Sequence, residues 1–307
     1  MAEVTMTVSN TQIKLAEFEN ISMRLFINKD FNQTLAAYIK CTNPGEKITY
    51  RKMIESCFNE YMISNQDIFA FMFICGPDSE QSIVIAKDYQ QGLTTLARDF
   101  ASQKAYQDIV RAGGGLVWCS PVNLDRSHFA FLGRYIKNME TGDPLGIVAI
   151  VIDEDRIDRL INLTLYNRPE VYLGEIENYS MVIDNDGEIV STPFKEEIGK
   201  SIGTIMRDTR PLEKIFRPLS ERDYGSEVNQ GSYITTVNGK QTLVTYKTIS
   251  SIIGVGGKSG WHLINLAPTS YLYTEVRTLG LLILVLSLVF GGLSVFLSFF
   301  VASLLHK

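Results

Sequence analysis

The sequence is poor in the residues that carry out chemistry. It has three histidines in 307 residues, His128, His262 and His306. None stands near a Gly-x-Ser-x-Gly elbow or a cysteine partner, so no nucleophilic hydrolase constellation is present. The four cysteines, Cys41, Cys57, Cys75 and Cys119, include no C-x-x-C pair, which argues against a zinc site. Cys41 and Cys57 read either as a disulfide of an exported chain or as separate buried thiols. Basic charge is also short: 29 Lys and Arg stand against 34 Asp and Glu, a net charge of -5. No basic stripe is available to displace phosphate counterions, and a nucleic-acid partner is excluded.

Two short motifs lack what a cofactor or metal would need. Gly257-Lys258-Ser259 has the ending of a phosphate loop, but the required first glycine falls on Ile252. Immediately downstream, residues 261–266 read as a strand instead of the helix whose N-terminus would face the anion. These glycines are read as a turn. Asp184-Asn185-Asp186-Gly187 would need glycine at the sixth position of a calcium loop, where Ile189 stands. Neither a cofactor nor a metal is expected. The opening MAEVTMTVSN also lacks the basic start and apolar stretch of a secretory signal.

What the chain does have is a long apolar run. Residues 279–305 carry no charge and lie between Arg277 and His306-Lys307. At about 1.5 Å per helical residue this exceeds the roughly 20 residues that cross a hydrocarbon core. It is read as a transmembrane helix. Gly291-Gly292 and the serines at 287, 294, 298 and 303 suit close packing by a neighbouring helix, so a second span is implied. The polar mass precedes the run, and the expectation is a piece of a longer receptor with an upstream span and further cytoplasmic sequence.

The rest is 45% hydrophobic and 21% charged overall, enough for about two domains. Apolar residues at helical spacing predict one long amphipathic helix over 4–40, a turn at Asn43-Pro44-Gly45, and a second helix over 49–62. Strands come next at 68–74 and 82–86, then a helix at 89–110 stopped by Gly113-Gly114-Gly115, and strands at 116–121, 129–137 and 145–152. Asp153-Glu154-Asp155 opens a helix to about residue 164. Its acidic first turn is read as capping, which the helix dipole favours. A hairpin at 179–191 and strands at 232–237, 241–249 and 260–266 then lead into the last helix. The two halves share a plan. "GIVAIVIDEDRIDRLI" closes the first as "GWHLINLAPTSYLYTEV" closes the second.

With "YSMVIDNDGEIVSTPFKEEIGKSI", "GGGLVWCSPV", "GRYIKN" and the "GW" ahead of the span, the chain resembles the extracellular double Cache sensor of bacterial transmembrane receptors. It is most similar to sensor histidine kinases of the YesM type. The resemblance implies an α+β fold: N-terminal helices over 1–62, a membrane-distal PAS-like module over 63–175, a membrane-proximal one over 176–270, and a connecting helix and span over 271–307. It implies a bacterial cell-membrane location with the sensor outside the cytoplasm, and a homodimer paired through the long helix. The kinase that completes members of that family is not in this sequence, so the fragment is not expected to be an enzyme. A chemoreceptor or diguanylate cyclase input domain is the alternative, and a membrane-anchored hydrolase a further one.

The resemblance places a small solute, or a solute-binding partner protein, in the distal module. Matched by position, the candidate ligand residues are Tyr106, Trp118, Arg134 and Asp153. Arg134 suits a carboxylate, Asp153 an amine or hydroxyl, and Trp118 or Tyr106 an apolar or sugar face. Each has a second reading: core for Trp118, a solvated residue or an Asp153 pair for Arg134, helix packing for Tyr106, a helix cap for Asp153. Amino-acid-binding members carry Arg, one residue, then Trp-Tyr. If Tyr106 is that Tyr, Gln103 and Ala105 occupy the Arg and Trp positions, which speaks against an amino-acid ligand.

Overall fold

The computed structural model describes residues 2–75, 81–88, 91–124, 127–166, 178–206, 208–212, 230–249 and 261–305. The glycine turn at Gly257-Lys258-Ser259 lies outside these.

The N-terminal helical segment is two helices in place of the single one expected. α1 (Ala2–Ile27) ends where Asn28 adopts an extended conformation and its side chain accepts from Phe31 N at 3.0 Å. This caps α2 (Lys29–Lys40). Asn43 does the same for Gly45 N at 2.9 Å, so α3 (Pro44–Ser64) begins at the proline, within the predicted turn.

The first sheet contains β1 (Ile68–Ile74), β2 (Ile83–Ala86), β3 (Leu116–Leu124), β4 (Ser127–Lys137) and β5 (Pro144–Asp153), all antiparallel, in the order β2-β1-β5-β4-β3. Between β2 and β3 the expected helix is interrupted. α4 (Gln91–Asp99) runs into a 3-10 turn, Gln103 is extended, and α5 (Lys104–Arg111) comes after it. Gly113 and Gly114 then take φ of +62° and +112°, conformations that release the chain into β3. α6 (Glu154–Ile161) and α7 (Leu163–Tyr166) leave β5.

The second sheet contains β6 (Tyr179–Ile183), β7 (Ile189–Ser191), β8 (Gln230–Val237), β9 (Lys240–Ile249) and β10 (Trp261–Pro268), in the order β7-β6-β10-β9-β8. Counted within each sheet, the order is the same, 2-1-5-4-3. The expected internal repeat is therefore a repeat of topology. α8 (Thr269–Leu305) leaves β10 without a break.

One face of each sheet shares a single core. Val8, Leu15, Phe18, Ile21 and Leu25 of α1, at spacings of three, four and seven, pack against Phe71, Trp118, Leu132 and Ile150 of the first sheet. Val182, Ile249, Trp261 and Leu263 of the second sheet belong to the same cluster. α1 is thus a spine across both modules. The opposite faces have separate cores, one under α4 and α5 and one in the second module.

Among the described residues no helix is long and apolar enough to cross a membrane. The described side chains in the apolar part of α8 cover only residues 280–295, all of them exposed. That stretch is shorter than the roughly 20 residues a crossing needs.

Candidate functional site

Alternation along a strand sends residues two apart to one face. In the first module, Leu116 and Trp118 of β3 and Leu132, Arg134 and Ile136 of β4 therefore face the helical spine. Phe129 and Phe131 of β4 and Ala149 and Val151 of β5 face α4 and α5. This divides the four predicted ligand residues. Trp118 and Arg134 lie on the spine side, Tyr106 on the α5 side, and Asp153 at the end of β5. They do not converge on one site.

Trp118 is 8% exposed and donates its indole N–H to Glu19 Oε1 at 3.1 Å. Its ring meets Phe18 edge-on and lies 4.6 Å, centroid to centroid, from Trp261 of the second module. Arg134, 4% exposed, donates from Nε to Ser22 Oγ at 3.0 Å and from Nη1 to Gly114 O at 2.7 Å, and its guanidinium lies over the Phe26 ring. Both residues hold α1 against the sheet. The Arg134–Asp153 pair, one of the alternative readings of Arg134, is not formed: Asp153 stands opposite Phe129 in the ladder, five residues along β4, or about 17 Å. Asp153 caps α6 by accepting from Asp155 N at 3.1 Å, and burial raises its pKa. Tyr106 packs against Phe100 with ring centroids 6.5 Å apart. The Cys41–Cys57 disulfide is not formed; both cysteines are free and half-buried.

The face under α4 and α5 is apolar. Ala70, Met72, Phe129, Phe131, Ile147 and Ala149 form its floor, and Leu93, Phe100 and Ile109 its cover. Ile109 sits so close to the sheet that a Cβ on Gly133 would lie 2.2 Å from its Cδ1. The buried charged side chains of the described residues are Glu19, Arg134, Glu154 and Asp158. None of these is on this face, which offers a ligand apolar contact and aromatic edges.

The densest polar constellation lies between the modules. Glu154, Asp158, Asn162 and Tyr166 recur every four residues and so share one side of α6 and α7. Glu154, 1% exposed, accepts from Ser191 Oγ at 2.6 Å, Thr192 N at 3.2 Å and Lys195 Nζ at 2.6 Å. Asp158, fully buried, accepts from Lys195 Nζ at 3.0 Å, from Asn162 Nδ2 at 2.8 Å and from the Tyr166 hydroxyl. Asn162 also clamps the Ser180 backbone, accepting from its N at 2.7 Å and donating to its O at 2.8 Å. Burial pushes the Glu154 carboxyl up to about 7, against the pull of Lys195. The ammonium of Lys195 is held above its usual range by Glu154, Asp155 and Asp158, against the opposing effect of burial.

The sequence alone discloses only the cap at Asp153. The four-residue spacing of Glu154, Asp158, Asn162 and Tyr166 was the signal available for the rest. In the second module, His262 is 2% exposed, with its ring nitrogens on Thr248 Oγ1 at 3.0 Å and Asn185 Oδ1 at 3.1 Å; burial lowers its pKa to about 4. The neighbouring Asp186 meets Lys104 of α5 at 2.8 Å, a second, exposed tie between the modules.

No protein-family model matches the sequence, and no curated protein matches it. Solved structures do match the fold. The ligand-binding domain of the Pseudomonas aeruginosa amino acid chemoreceptor PctB, in complex with L-Gln, superposes with a TM-score of 0.57 at 11% identity, over 91% of this chain and 96% of that one. A domain from Vibrio parahaemolyticus, described as of the sensory box/GGDEF family, gives 0.55 at 12% identity over 89% and 96%. The ligand-binding domain of the Pseudomonas fluorescens chemoreceptor CtaA, in complex with L-alanine, gives 0.53 at 12% identity over 88% and 96%. At such identities the likeness is one of architecture. The chain has the tandem-sheet fold found in ligand-binding domains of bacterial sensory proteins.

Proposed function

We propose that this chain is the extracytoplasmic sensing region of a bacterial membrane receptor, without catalysis of its own, and that the receptor is a histidine kinase of the YesM type. The observation that carries the receptor reading is the exit of α8. It continues β10 without interruption, and eleven large apolar side chains between Leu281 and Val295 stand at 46–69% exposure. Leaving each in water forgoes roughly 1.5–3 kcal/mol, so lipid is the solvent this helix suits. Gly291 and Gly292 have nothing within 4 Å of their Cβ positions, leaving that side open to a second helix.

A ligand in the distal module would act by favouring one seating of α4 and α5 on the sheet. It biases the signal only as far as its affinity differs between two arrangements. The named chemoreceptor neighbours are complexes with amino acids. The apolar distal face, and Gln103 and Ala105 where amino-acid binders carry Arg and Trp, favour a less polar ligand here. A homodimer belongs to the same reading. Met6, Ile13 and Ile27 are 61%, 59% and 57% exposed at multiples of seven along the outer side of α1, with Asn20 completing the series.

The reading is tested by topology. Single cysteines introduced at exposed positions such as Lys52 and Thr141, in a background lacking the native cysteines, should react with an impermeant maleimide in intact cells. Labelling only after lysis overturns an extracytoplasmic location. A thermal-shift screen of small metabolites on the full chain then addresses the ligand, since saturating ligand stabilises in proportion to ln(1 + [L]/Kd).

A further inference from the structure

The junction between the modules carries an unbalanced charge. Three carboxylates converge on one ammonium: Lys195 Nζ lies 2.6 Å from Glu154, 2.9 Å from Asp155 and 3.0 Å from Asp158. Asp155 is 57% exposed and is offset by water, but Glu154 and Asp158 are each 1% exposed at the side chain, so the buried pair still outweighs its one ammonium. Among the described residues, the other ionisable groups around them are Tyr166 on α7, bonded to Asp158, Asp153 at the α6 cap, His128 on β4, whose pKa is lowered by burial and by Lys195, and Arg156 on α6, which acts on Asp153 but is half-exposed and lies 4.0 Å from Asp67. None supplies the missing positive charge. The cluster also joins two bodies, since Glu154 and Asp158 belong to the helix leaving the first sheet and Ser191, Thr192 and Lys195 to the second module.

We propose that this junction is a proton-linked latch: one proton taken up by Glu154 tightens the hold of α6 on the second module, so mild acid stiffens the connection between the modules. A proton is the smallest cation that relieves the excess, and Glu154 can take it while keeping its contacts to Ser191, Thr192 and Lys195. The sign comes from linkage. A carboxylate that binds its proton more tightly when docked than when released favours docking at low pH, and docking weakens as the proton leaves. For the receptor this means that external pH sets how stiffly a distal event reaches α8; that consequence rests on the proposed function, whereas proton uptake itself does not.

The test uses the full chain in detergent, with carbon-13 labelling of Glu side chains. The expected result is one glutamate carboxyl titrating near neutrality, a resonance lost in Glu154→Gln, and α6 amide protection factors, which already divide out the intrinsic pH dependence of exchange, that rise by about tenfold or more from pH ~8 to pH ~5.5 in the wild type. Glutamates that all titrate below about 5, or exchange in α6 with no pH dependence beyond the intrinsic one, overturn the latch while leaving the receptor reading intact. Should Glu154→Gln fail to fold, Lys195→Arg keeps the charge and must retain the neutral titration; its disappearance there also counts against the proposal. If uptake is found but signalling in cells is insensitive to pH, the latch stands and the receptor consequence falls.

Discussion

The two modules have one topology and one exit, and they use that exit differently. In each, the final strand at the centre of the sheet hands over at once to a helix: β5 to α6 and β10 to α8. α6 presents Glu154, Asp158 and Asn162 to a protein partner, the next module, and buries them. α8 presents leucines, valines and phenylalanine to the outside and leaves them exposed. The strand order that repeats is a solution to pairing five short antiparallel strands, and it sets where the helix starts. The side chains on that helix decide what it docks on. The inner faces differ as well: apolar in the first module, with His262 and Thr248 buried in the second.

The largest effect that would break this comparison comes from Lys195→Met. It strands two buried carboxylates without their cation and should cost about 3–5 kcal/mol at pH 8, read from urea unfolding. A cost below about 1 kcal/mol would mean that the junction is no more than a surface ion pair. The second module responds to pH with the opposite sign. His262, folded with its pKa lowered to about 4, contributes stability present above its unfolded value near 6.5 and lost as pH falls from there to about 4, roughly 3 kcal/mol in all. His262→Gln should flatten the unfolding curve between pH ~6.5 and ~4 relative to wild type. Glu154 acts over an overlapping window in reverse, favouring the fold below its unfolded value and losing that contribution as pH rises to about 7, so each variant must be compared with the wild type at matched pH.

A smaller contrast separates the two inner faces. Gly133→Ala meets Ile109, which is fully buried, at 2.2 Å, whereas the nearest atom to a Cβ on Gly231 is the hydroxyl of half-buried Tyr246, at 2.6 Å. The first substitution should cost about 1–3 kcal/mol and loosen α5, measured as faster amide exchange there; the second should cost less than about 1 kcal/mol. Equal costs would mean that α5 rides as freely as a tyrosine ring. The smallest effect is expected at Asn28→Ala, which removes the cap of α2 for about 1 kcal/mol. By restoring continuity with α1 it should also raise helicity by circular dichroism.

Most strands were legible because short runs rich in β-branched and aromatic residues, bounded by turn residues, are a local signal; 68–74 and 179–183, both buried almost throughout, match the observed elements at both ends. Helix ends were harder. Asn28, Asn43 and Asn162 each place a side chain on a backbone group, and Asn162 reaches Ser180, eighteen residues on. The candidate site was least legible. Trp118 and Arg134 could be placed on one face by spacing, but not which layer covers that face; α1, about a hundred residues earlier, does so through Glu19 and Ser22.

Sequence by itself determined the α+β repeat, the order of helices and strands, and the uncharged final run, since each depends on side chains within a few residues of one another. Only the tertiary structure decided that α1 joins the two sheets in one core, that Arg134 is spent on holding that helix, and that Lys195 closes a buried carboxylate pair. Those contacts link residues dozens to a hundred positions apart. Burial, which turns an acidic helix start into a strained charge cluster, exists only once the chain has folded.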